Sequence, residues 1–528
     1  MRLRVARVAV PVMGGWLAFV AASGGCRSAE AVPAGSVAAA QAVAAEGGAA
    51  PTPAAADEPA EVPLVPLMGK AVLEARAHAQ RSALGEGMPL FEDERGQPVP
   101  WIAPQVAIAD EPAFDGDLLD SLQGSSGLGG TAADEGPRPN GNILGLFEPI
   151  EAGETAPLRH FHQALRALEH GDDRKVRVML VGASHTEADI YPQYIRSYLQ
   201  ERFGDGGHGF VLPAAPWRGY GHVDVSVDGL QHWRTEHAQR RDARDDGRYG
   251  LLGASISSRS DRAYGRVIQH AGVLGSRYEL WFVAQPRGGS VDVIADGRTI
   301  ATVRTAARHV GPGYHAFELP ESEHTIEVRV RGDGEVRLTG LVIERDDPGV
   351  VVDTLGIRGT RAANALAWDR ALWSDNVRHR APDLFVLAFG TNEATDVTQD
   401  IATYEANLRE VVQRYRAAAP QASCVLVGPG DFPQASGGTL IPRPRLSQII
   451  EVQSRVSTEL GCGFWDMQAF MGGELSMVQW VRAAPAMAQP DYIHLSRRGY
   501  VRMGMALVDA LMGELDGDDP LHGRTPPR

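Results

Sequence analysis

The sequence predicts an α/β protein, a three-layer α/β/α sandwich that is interrupted by an all-β module. The apolar run 176–181 is typical of a buried strand, and an apolar stripe at helical spacing follows it at 190–199. The same order returns at 384–389 and 404–415, and again within 424–460. Regular alternation of strand and helix indicates a parallel sheet that is covered by helices on both faces, in a flavodoxin-like arrangement.

Helical periodicity disappears between residues 251 and 347, which predicts an inserted β-sandwich of jelly-roll type. Asp296-Gly297 and Asp333-Gly334 each separate two strand-like runs, as hairpin turns do. This module would either bind carbohydrate and present a polymer to the active site, or serve as a rigid lid or spacer. Its conspicuous aromatic residues are Tyr278, Trp281 and Tyr314.

The N-terminus predicts export. Three arginines within the first seven residues precede a mostly apolar stretch at 8–22, which is short for a bilayer core of roughly 30 Å and therefore indicates a signal peptide at 1–25. The small residues 23–25 lead to Cys26 and resemble a bacterial lipobox, although Ser23 stands where Leu is usual. We favour a lipoprotein anchored to a membrane through Cys26, with an ordinary cleaved signal as the alternative.

The remaining boundaries follow from composition. Residues 26–63 are rich in Ala and Pro and predict a disordered tether, and 64–140 predict a partly ordered extension with a helix within 64–84. The α/β domain would then comprise 141–250 and 348–516, on either side of the module at 251–347. A disordered tail would follow at 517–528.

Charge and cysteine content restrict the classes of function. The net charge of −15 argues against nucleic acid as a partner, because nucleic-acid binding requires clustered Lys and Arg. Besides Cys26 the chain has only Cys424 and Cys462, for which buried free thiols are the simpler interpretation and a disulfide is the alternative in an oxidising compartment. The scattered histidines show no metal-ligand spacing, so we expect neither a metal nor another cofactor.

Four short strings carry the chemistry. Together they supply a hydroxyl nucleophile, backbone and amide donors for an oxyanion, and an Asp-His pair three residues apart, which are the parts that acyl transfer through serine requires. The strings are GASH at 182–185, GIRG at 356–359, GTNE at 390–393 and DYIH at 491–494.

Position distinguishes Ser184 from other serines. Ser184 lies between a predicted strand and a predicted helix, and Asn392 directly follows another predicted strand. Such junctions place side chains at the carboxyl edge of the sheet, where open α/β folds bind ligands. Ser255 also follows Gly and Ala, but it lies in a polar stretch without this context.

The four strings, in this order, resemble the SGNH/GDSL hydrolase superfamily. The resemblance implies that Ser184 is the nucleophile, His494 the base and Asp491 the residue that orients it. The oxyanion hole would consist of the Ser184 and Gly359 backbone amides and the Asn392 side chain. GASHT at 182–186 and GGHGFV at 206–211 are similar to bacterial cell-envelope members, including peptidoglycan O-acetylesterase-like proteins.

Two positions depart from the superfamily pattern. Ala183 stands where Asp usually precedes the serine, which puts the fixation of the nucleophile loop in question, and Glu393 stands where Asp is more common. Three further residues are candidates for substrate binding, although packing roles would also explain them. These residues are His185, His208 and Trp217.

The favoured function is a secreted or lipid-anchored esterase that removes O-acetyl groups from peptidoglycan or another envelope polysaccharide, so its partner would be an acylated carbohydrate. A lipase or lysophospholipase-like esterase is the first alternative and would need a wide apolar acyl pocket. The second alternative is a glycan-binding or acyl-transfer envelope protein with weak hydrolase activity. Retention of all five catalytic positions disfavours an inert binding protein.

Overall fold

Five parallel strands form the central sheet, in the order β15-β3-β16-β17-β20. The computed structural model describes residues 70–84, 91–92, 98–99 and 148–517, except 154, 437 and 484. The predicted signal peptide, the tether, the lipidation site Cys26 and residues 518–528 therefore lie outside the described residues. The five strands are Lys175–Gly182 (β3), Gly349–Gly356 (β15), Leu384–Ala388 (β16), Ser423–Val427 (β17) and Gly463–Trp465 (β20).

Helices cover both faces of this sheet, which confirms the predicted three-layer α/β/α class. Successive strand residues face opposite sides, so Val178 and Leu180 pack into one core whereas Met179 and Val181 pack into the other. The helices are Lys70–Leu84 (α1), Arg159–Glu169 (α2), Ser184–Glu187 (α3), Ile190–Phe203 (α4), Arg370–Arg380 (α5), Ile401–Ala418 (α6), Pro444–Glu459 (α7), Met467–Met471 (α8), Ser476–Arg482 (α9) and Arg497–Gly517 (α10).

The register of the strands brings their carboxyl ends to one edge. Gly182 at the end of β3 pairs with Gly356 of β15 on one side and with Ala388 of β16 on the other. The segments that follow these three strands carry Ser184, Gly359 and Asn392. The fold therefore gathers the first three sequence strings at a single edge.

Two antiparallel sheets form the additional β module. One has the order β11-β10-β13-β8-β5, and the other has the order β12-β9-β14-β7-β6 with β4 paired to β14. Their strands are Gly209–Val211 (β4), Val225–Asp228 (β5), Arg234–His237 (β6), Ala254–Ser258 (β7), Tyr264–Gln269 (β8), Gly275–Ala284 (β9), Ser290–Ala295 (β10), Arg298–Arg304 (β11), Gly311–Ser322 (β12), Thr325–Val330 (β13) and Val336–Glu344 (β14).

One of the two predicted hairpin turns forms. Asp296 and Gly297 both adopt positive φ and join β10 to β11, as a tight two-residue hairpin requires. The prediction for Asp333-Gly334 was wrong, because β13 pairs within one sheet and β14 within the other. This turn crosses between the sheets, and its Asp333 carboxylate accepts a hydrogen bond from the Ser290 backbone at 2.7 Å.

The antiparallel strands begin before the predicted boundary at residue 251. β4, β5 and β6 lie at 209–237 and pair with strands of the module. In addition, buried residues of the module such as Val291 and Leu338 belong to the same apolar cluster as Leu387 of the central sheet. The module and the catalytic domain therefore share a continuous core, and the module boundaries remain a prediction.

Two further features affect the stability of the fold. Helix α1, within the segment predicted to be helical, packs on α4 and α10, where Arg76 pairs with Asp509 and Arg497 donates to the Ala83 carbonyl at 2.6 Å. Cys424 and Cys462 form a disulfide, so the simpler interpretation of free thiols was wrong.

Two short antiparallel pairs complete the strands. They are Phe91–Glu92 with Pro98–Val99 (β1, β2) and Gln434–Ser436 with Thr439–Ile441 (β18, β19).

No helix within the described ranges is long and apolar enough to cross a membrane.

Candidate active site

Ser184 lies where β3 passes into a single helical turn. β3 ends at Gly182, and α3 begins at Ser184 itself. A side chain at Gly182 would collide with Thr186, because a Cβ built there would lie 2.1 Å from Thr186 Oγ1. As the first residue of a helix, Ser184 has a backbone N–H without an intrahelical acceptor. The turn therefore presents both the hydroxyl and a backbone donor at the carboxyl edge of the sheet.

The Asp491-His494 pair is fixed by a local turn. Oδ1 of Asp491 accepts hydrogen bonds at 3.0 Å from the backbone N–H groups of Ile493 and His494. Asp side chains commonly cap turns in this way. Tyr492 adopts φ 58° inside the turn. The second carboxylate oxygen remains available and lies 2.7 Å from Nδ1 of His494.

Ser184, His494 and Asp491 form one chain of contacts. Nε2 of His494 lies 2.9 Å from Oγ of Ser184, and Nδ1 of the same ring faces Asp491. Burial would raise the pKa of Asp491, but hydrogen bonds from the His494 side chain and the turn backbone lower it below its usual value. The carboxylate is therefore ionised at neutral pH and can hold a proton on Nδ1, which leaves Nε2 to accept the serine proton.

Gly359 and Asn392 face the same cavity as Ser184. Gly359 adopts φ +75°, a backbone conformation that residues with a side chain rarely adopt. A Cβ at this position would have no neighbour within 4 Å. Nδ2 of Asn392 donates to the Thr360 carbonyl at 2.9 Å. Because an amide nitrogen carries two hydrogens, Asn392 retains a second donor for a ligand.

The cavity at this edge has a volume of about 460 Å³. Its lining includes Ser184, His494, Gly359 and Asn392, so the catalytic set opens into one space. The other lining residues are mostly small or polar, with Phe432 and Ile493 as the larger apolar side chains. The complete remainder is Glu187, Ala188, Gly219, Gly221, Arg358, Thr391, Thr395, Phe432 and Ile493.

The departure at Ala183 is accompanied by another anchor for the nucleophile segment. Asp189, two residues after α3, adopts φ 54° and is fully buried. Its carboxylate accepts hydrogen bonds from Arg196 at 3.1 Å, from Thr354 at 2.5 Å and from the Val223 backbone at 2.9 Å. Asp189 therefore connects the segment after Ser184 to β15 and to the approach to β5.

Glu393 fixes the third string from within. Its side chain is buried, and its two oxygens accept hydrogen bonds from the backbone of Ala362 at 2.8 Å and of Gly390 at 3.0 Å. Burial raises the pKa of this carboxyl group. It does not line the cavity.

The three predicted substrate-binding residues lie outside the cavity lining. His185 contacts Tyr500 at 2.9 Å, and desolvation beside His494 lowers its pKa to about 4. His208 is held away from the site, since its ring is fully buried between His222 at 2.7 Å and Asp224 at 3.1 Å. Trp217 reaches the site indirectly, through a hydrogen bond of 2.7 Å from its indole to Glu187.

Ser255 is excluded as a nucleophile by its surroundings. It is fully buried in β7, where its hydroxyl accepts a hydrogen bond from Arg337 at 2.9 Å.

Sequence reasoning missed Glu187, Arg358 and Phe432. Glu187 lies three residues after Ser184, and Arg358 immediately precedes Gly359. Their proximity to two of the strings was a usable signal. Phe432 follows β17 at the same sheet edge, but the sequence there carries no catalytic pattern.

Comparison with known proteins agrees with this geometry. The model of the GDSL-like lipase/acylhydrolase family matches residues 328–502, a range that contains Gly359, Asn392, Asp491 and His494. The chain carries an SGNH/GDSL hydrolase domain. It is accordingly a carboxylic ester hydrolase. The matched range begins after Ser184, which the long β module separates from the other strings.

Solved structures include a match over most of the chain. A structure of a peptidoglycan O-acetylesterase superposes with a TM-score of 0.57 and 25% identity, and the match covers 67% of this chain and 96% of that one. Two further esterase structures superpose too poorly to support an argument. One is an acetylxylan esterase from Geobacillus stearothermophilus, with 22% identity, coverage of 31% of this chain and 73% of that one, and a TM-score of 0.24. The other is a family two carbohydrate esterase from Cellvibrio japonicus, with 15% identity, coverage of 55% and 98%, and a TM-score of 0.23. Curated protein sequences give no match.

Proposed function

We propose that the protein is an O-acetylesterase of peptidoglycan or another polysaccharide of the cell envelope, with Ser184 as its nucleophile. The observation that carries the catalytic assignment is the contact chain from Ser184 through His494 to Asp491, at 2.9 and 2.7 Å. Support for the substrate class comes from the likeness to a peptidoglycan O-acetylesterase over two thirds of the chain.

The proposed reaction uses the same residues in both of its half-reactions. His494 takes the proton of Ser184 as the hydroxyl attacks the ester carbonyl, and Asp491 stabilises the imidazolium that forms. The backbone amides of Ser184 and Gly359 and the side chain of Asn392 donate hydrogen bonds to the oxyanion. His494 then protonates the sugar oxygen as its bond to the acyl carbon breaks, which releases the sugar alcohol and leaves the acyl group on Ser184. A water molecule, deprotonated by His494, attacks this ester in the same way, releases acetate and restores the Ser184 hydroxyl.

The cavity favours a short acyl group over a long one. Two larger apolar side chains, Phe432 and Ile493, line it beside polar groups and glycines. An acetyl group needs little apolar surface, whereas a fatty acyl chain gains about 0.8 kcal/mol for each buried CH₂ group and so requires an extended apolar channel. The lining therefore supports the O-acetylesterase over the lipase-like alternative.

The proposed location is the cell envelope. An envelope polysaccharide requires export, which agrees with the signal peptide and the lipobox-like Cys26 predicted from the sequence. The disulfide between Cys424 and Cys462 is compatible with an oxidising compartment.

Acetate release from O-acetylated peptidoglycan tests the proposal, with nitrophenyl esters of increasing chain length in parallel. We expect acetate release from the glycan and a preference for nitrophenyl acetate over long-chain esters. Hydrolysis of long-chain esters or lysophospholipids without acetate release from glycans would overturn it in favour of the lipase-like alternative.

A further inference from the structure

Glu187 joins three parts of the active site that are distant in sequence. It is the last residue of the helical turn that Ser184 begins, and its side chain is only 7% exposed. Oε2 accepts a hydrogen bond from the Arg358 backbone at 2.6 Å. Oε1 accepts from Nη2 of Arg358 at 2.6 Å and from the Trp217 indole at 2.7 Å. Both carboxylate oxygens are thus engaged.

The backbone bond from Arg358 bears directly on the oxyanion hole. Gly359, the next residue, has a positive φ and no side chain that could hold its amide in place. The turn is also fixed one residue earlier, where the Ile357 backbone donates to the Gly182 carbonyl at 3.1 Å. Glu187 and Gly182 therefore hold the two residues that precede the Gly359 amide, and both belong to the segment that carries Ser184.

The second oxyanion donor depends on the same turn. Nδ2 of Asn392 is oriented by the carbonyl of Thr360, which directly follows Gly359. A shift of residues 357–360 would therefore displace both donors together. The end of β15 and the helical turn of Ser184 are in close backbone contact, because a Cβ at Gly356 would lie 2.2 Å from the Glu187 backbone nitrogen.

We propose that Glu187 is a positioning residue that sets the oxyanion hole at its working distance from the Ser184 hydroxyl. This inference rests on the proposed function. Glu187 would not touch the reacting atoms, since its oxygens are occupied by Arg358 and Trp217. Its carboxylate holds the two oxyanion donors in register with the nucleophile, a geometry in which a displacement of about 1 Å can cost on the order of 10²-fold in rate.

Steady-state kinetics of Glu187→Ala and Glu187→Gln on nitrophenyl acetate test the proposal. We expect kcat of Glu187→Ala to fall about 10- to 100-fold, less than the ~10²–10³-fold typical when an oxyanion donor is removed, with KM changed less than about threefold. Glu187→Gln keeps the size and one acceptor and should recover part of that loss. A nitrophenyl phosphonate mimics the tetrahedral intermediate and reacts with the nucleophile. In each variant, the rate at which it phosphonylates Ser184 should fall in parallel with kcat.

Two further variants separate positioning from general packing. Trp217→Phe removes the indole hydrogen bond but keeps the backbone bond from Arg358 to Glu187, so its kcat should fall less than that of Glu187→Ala if the anchored turn is what matters. Glu405 also accepts hydrogen bonds from two arginines, Arg409 and Arg455, but lies outside the cavity lining. Glu405→Ala should leave both kcat and KM unchanged.

The outcomes distinguish this inference from the proposed function. If the folded Glu187→Ala variant has the kcat of the wild type, the positioning role is overturned and the esterase assignment stands. If the alanine variant does not fold, a wild-type kcat in Glu187→Gln would lead to the same conclusion. A loss in KM alone would also overturn it, because the carboxylate would then serve binding. A wild-type protein without esterase activity would instead overturn the proposed function.

Discussion

Replacement of Asn392 by Ala separates the contribution of this side chain to transition-state stabilisation from its contribution to folding stability. The substitution removes the amide donor of the proposed oxyanion hole and the bond of 2.9 Å to the Thr360 carbonyl. The bond to Thr360 is a single neutral hydrogen bond, whose loss costs about 0.5–1.5 kcal/mol of stability. Loss of the oxyanion donor costs ~2.7–4 kcal/mol of barrier, or ~10²–10³-fold in kcat. The catalytic effect should therefore exceed the effect on folding.

The assay is kcat for nitrophenyl acetate beside the free energy of unfolding from denaturant titration. Asn364→Ala is the matched control, because the Asn364 side chain also makes one hydrogen bond to backbone, from Arg361 at 2.8 Å, but does not line the cavity. Both variants should lose similar stability, and only Asn392→Ala should lose activity. An Asn392→Ala enzyme within about threefold of wild-type kcat would refute the assignment of this amide to the oxyanion hole.

Three further predictions concern the base, the response of stability to pH and the membrane anchor. Asp491→Asn should leave the fold intact and lower kcat strongly, by ~10⁴-fold in a comparable triad, because the amide favours the wrong imidazole tautomer; activity near that of the wild type would contradict the role of Asp491. Burial, with Asp466 and Glu151 nearby, raises the pKa of Glu148 to about 7 from 4.5, so the stability it contributes is present below pH 4.5 and is lost as the pH rises through about 7. Glu148→Gln should flatten that decline in denaturation measured at several pH values, and an unchanged profile would exclude this carboxyl as its source. Cys26→Ser should release the protein from membrane fractions or block its processing, and failure of labelled fatty acid to enter the wild-type protein would refute lipidation.

The sequence predicts the hydrolase fold well because its strands are buried on both faces. The run 384–389 is apolar without alternation and is followed by a helical stripe, so the fold class and the ligand-binding edge of the sheet follow from the local sequence pattern. The convergence of strand ends also places Ser184 and Asn392 at that edge. The roles of His494 and Asp491 were expected from the resemblance to the SGNH/GDSL superfamily, because these two residues precede the last helix and do not follow a strand. Because Asp491 and His494 are three residues apart, one oxygen of the Asp491 carboxylate accepts a hydrogen bond from the His494 backbone and the other faces the His494 ring.

The pairing of the β strands was harder to predict, since partners in antiparallel sheets are set by long-range register. The turn Asp333-Gly334 has hairpin composition, yet tertiary packing sends its flanking strands to different sheets. The short strands β4–β6 lie among glycines and charged residues at 204–250, where no clear period stands out. Their partners β14, β8 and β7 all lie beyond residue 251, so β4, β5 and β6 belong structurally to the module.

The roles of Glu187 and Asp189 could not be predicted from spacing alone. Each carboxylate acts through partners far away in the sequence, Arg358 and Trp217 for Glu187 and Thr354 and Val223 for Asp189. A polar residue beside a catalytic serine can equally face solvent, and only the folded arrangement shows these side chains to be enclosed.

Labelling of the nucleophile tests the central claim most directly. The wild-type enzyme should react with a nitrophenyl phosphonate, and peptide mapping by mass spectrometry should place the adduct on Ser184. Ser184→Ala should then take up no label and hydrolyse no acetyl ester, with its melting temperature essentially unchanged. An adduct on another residue, or wild-type turnover by folded Ser184→Ala, would contradict the proposed mechanism.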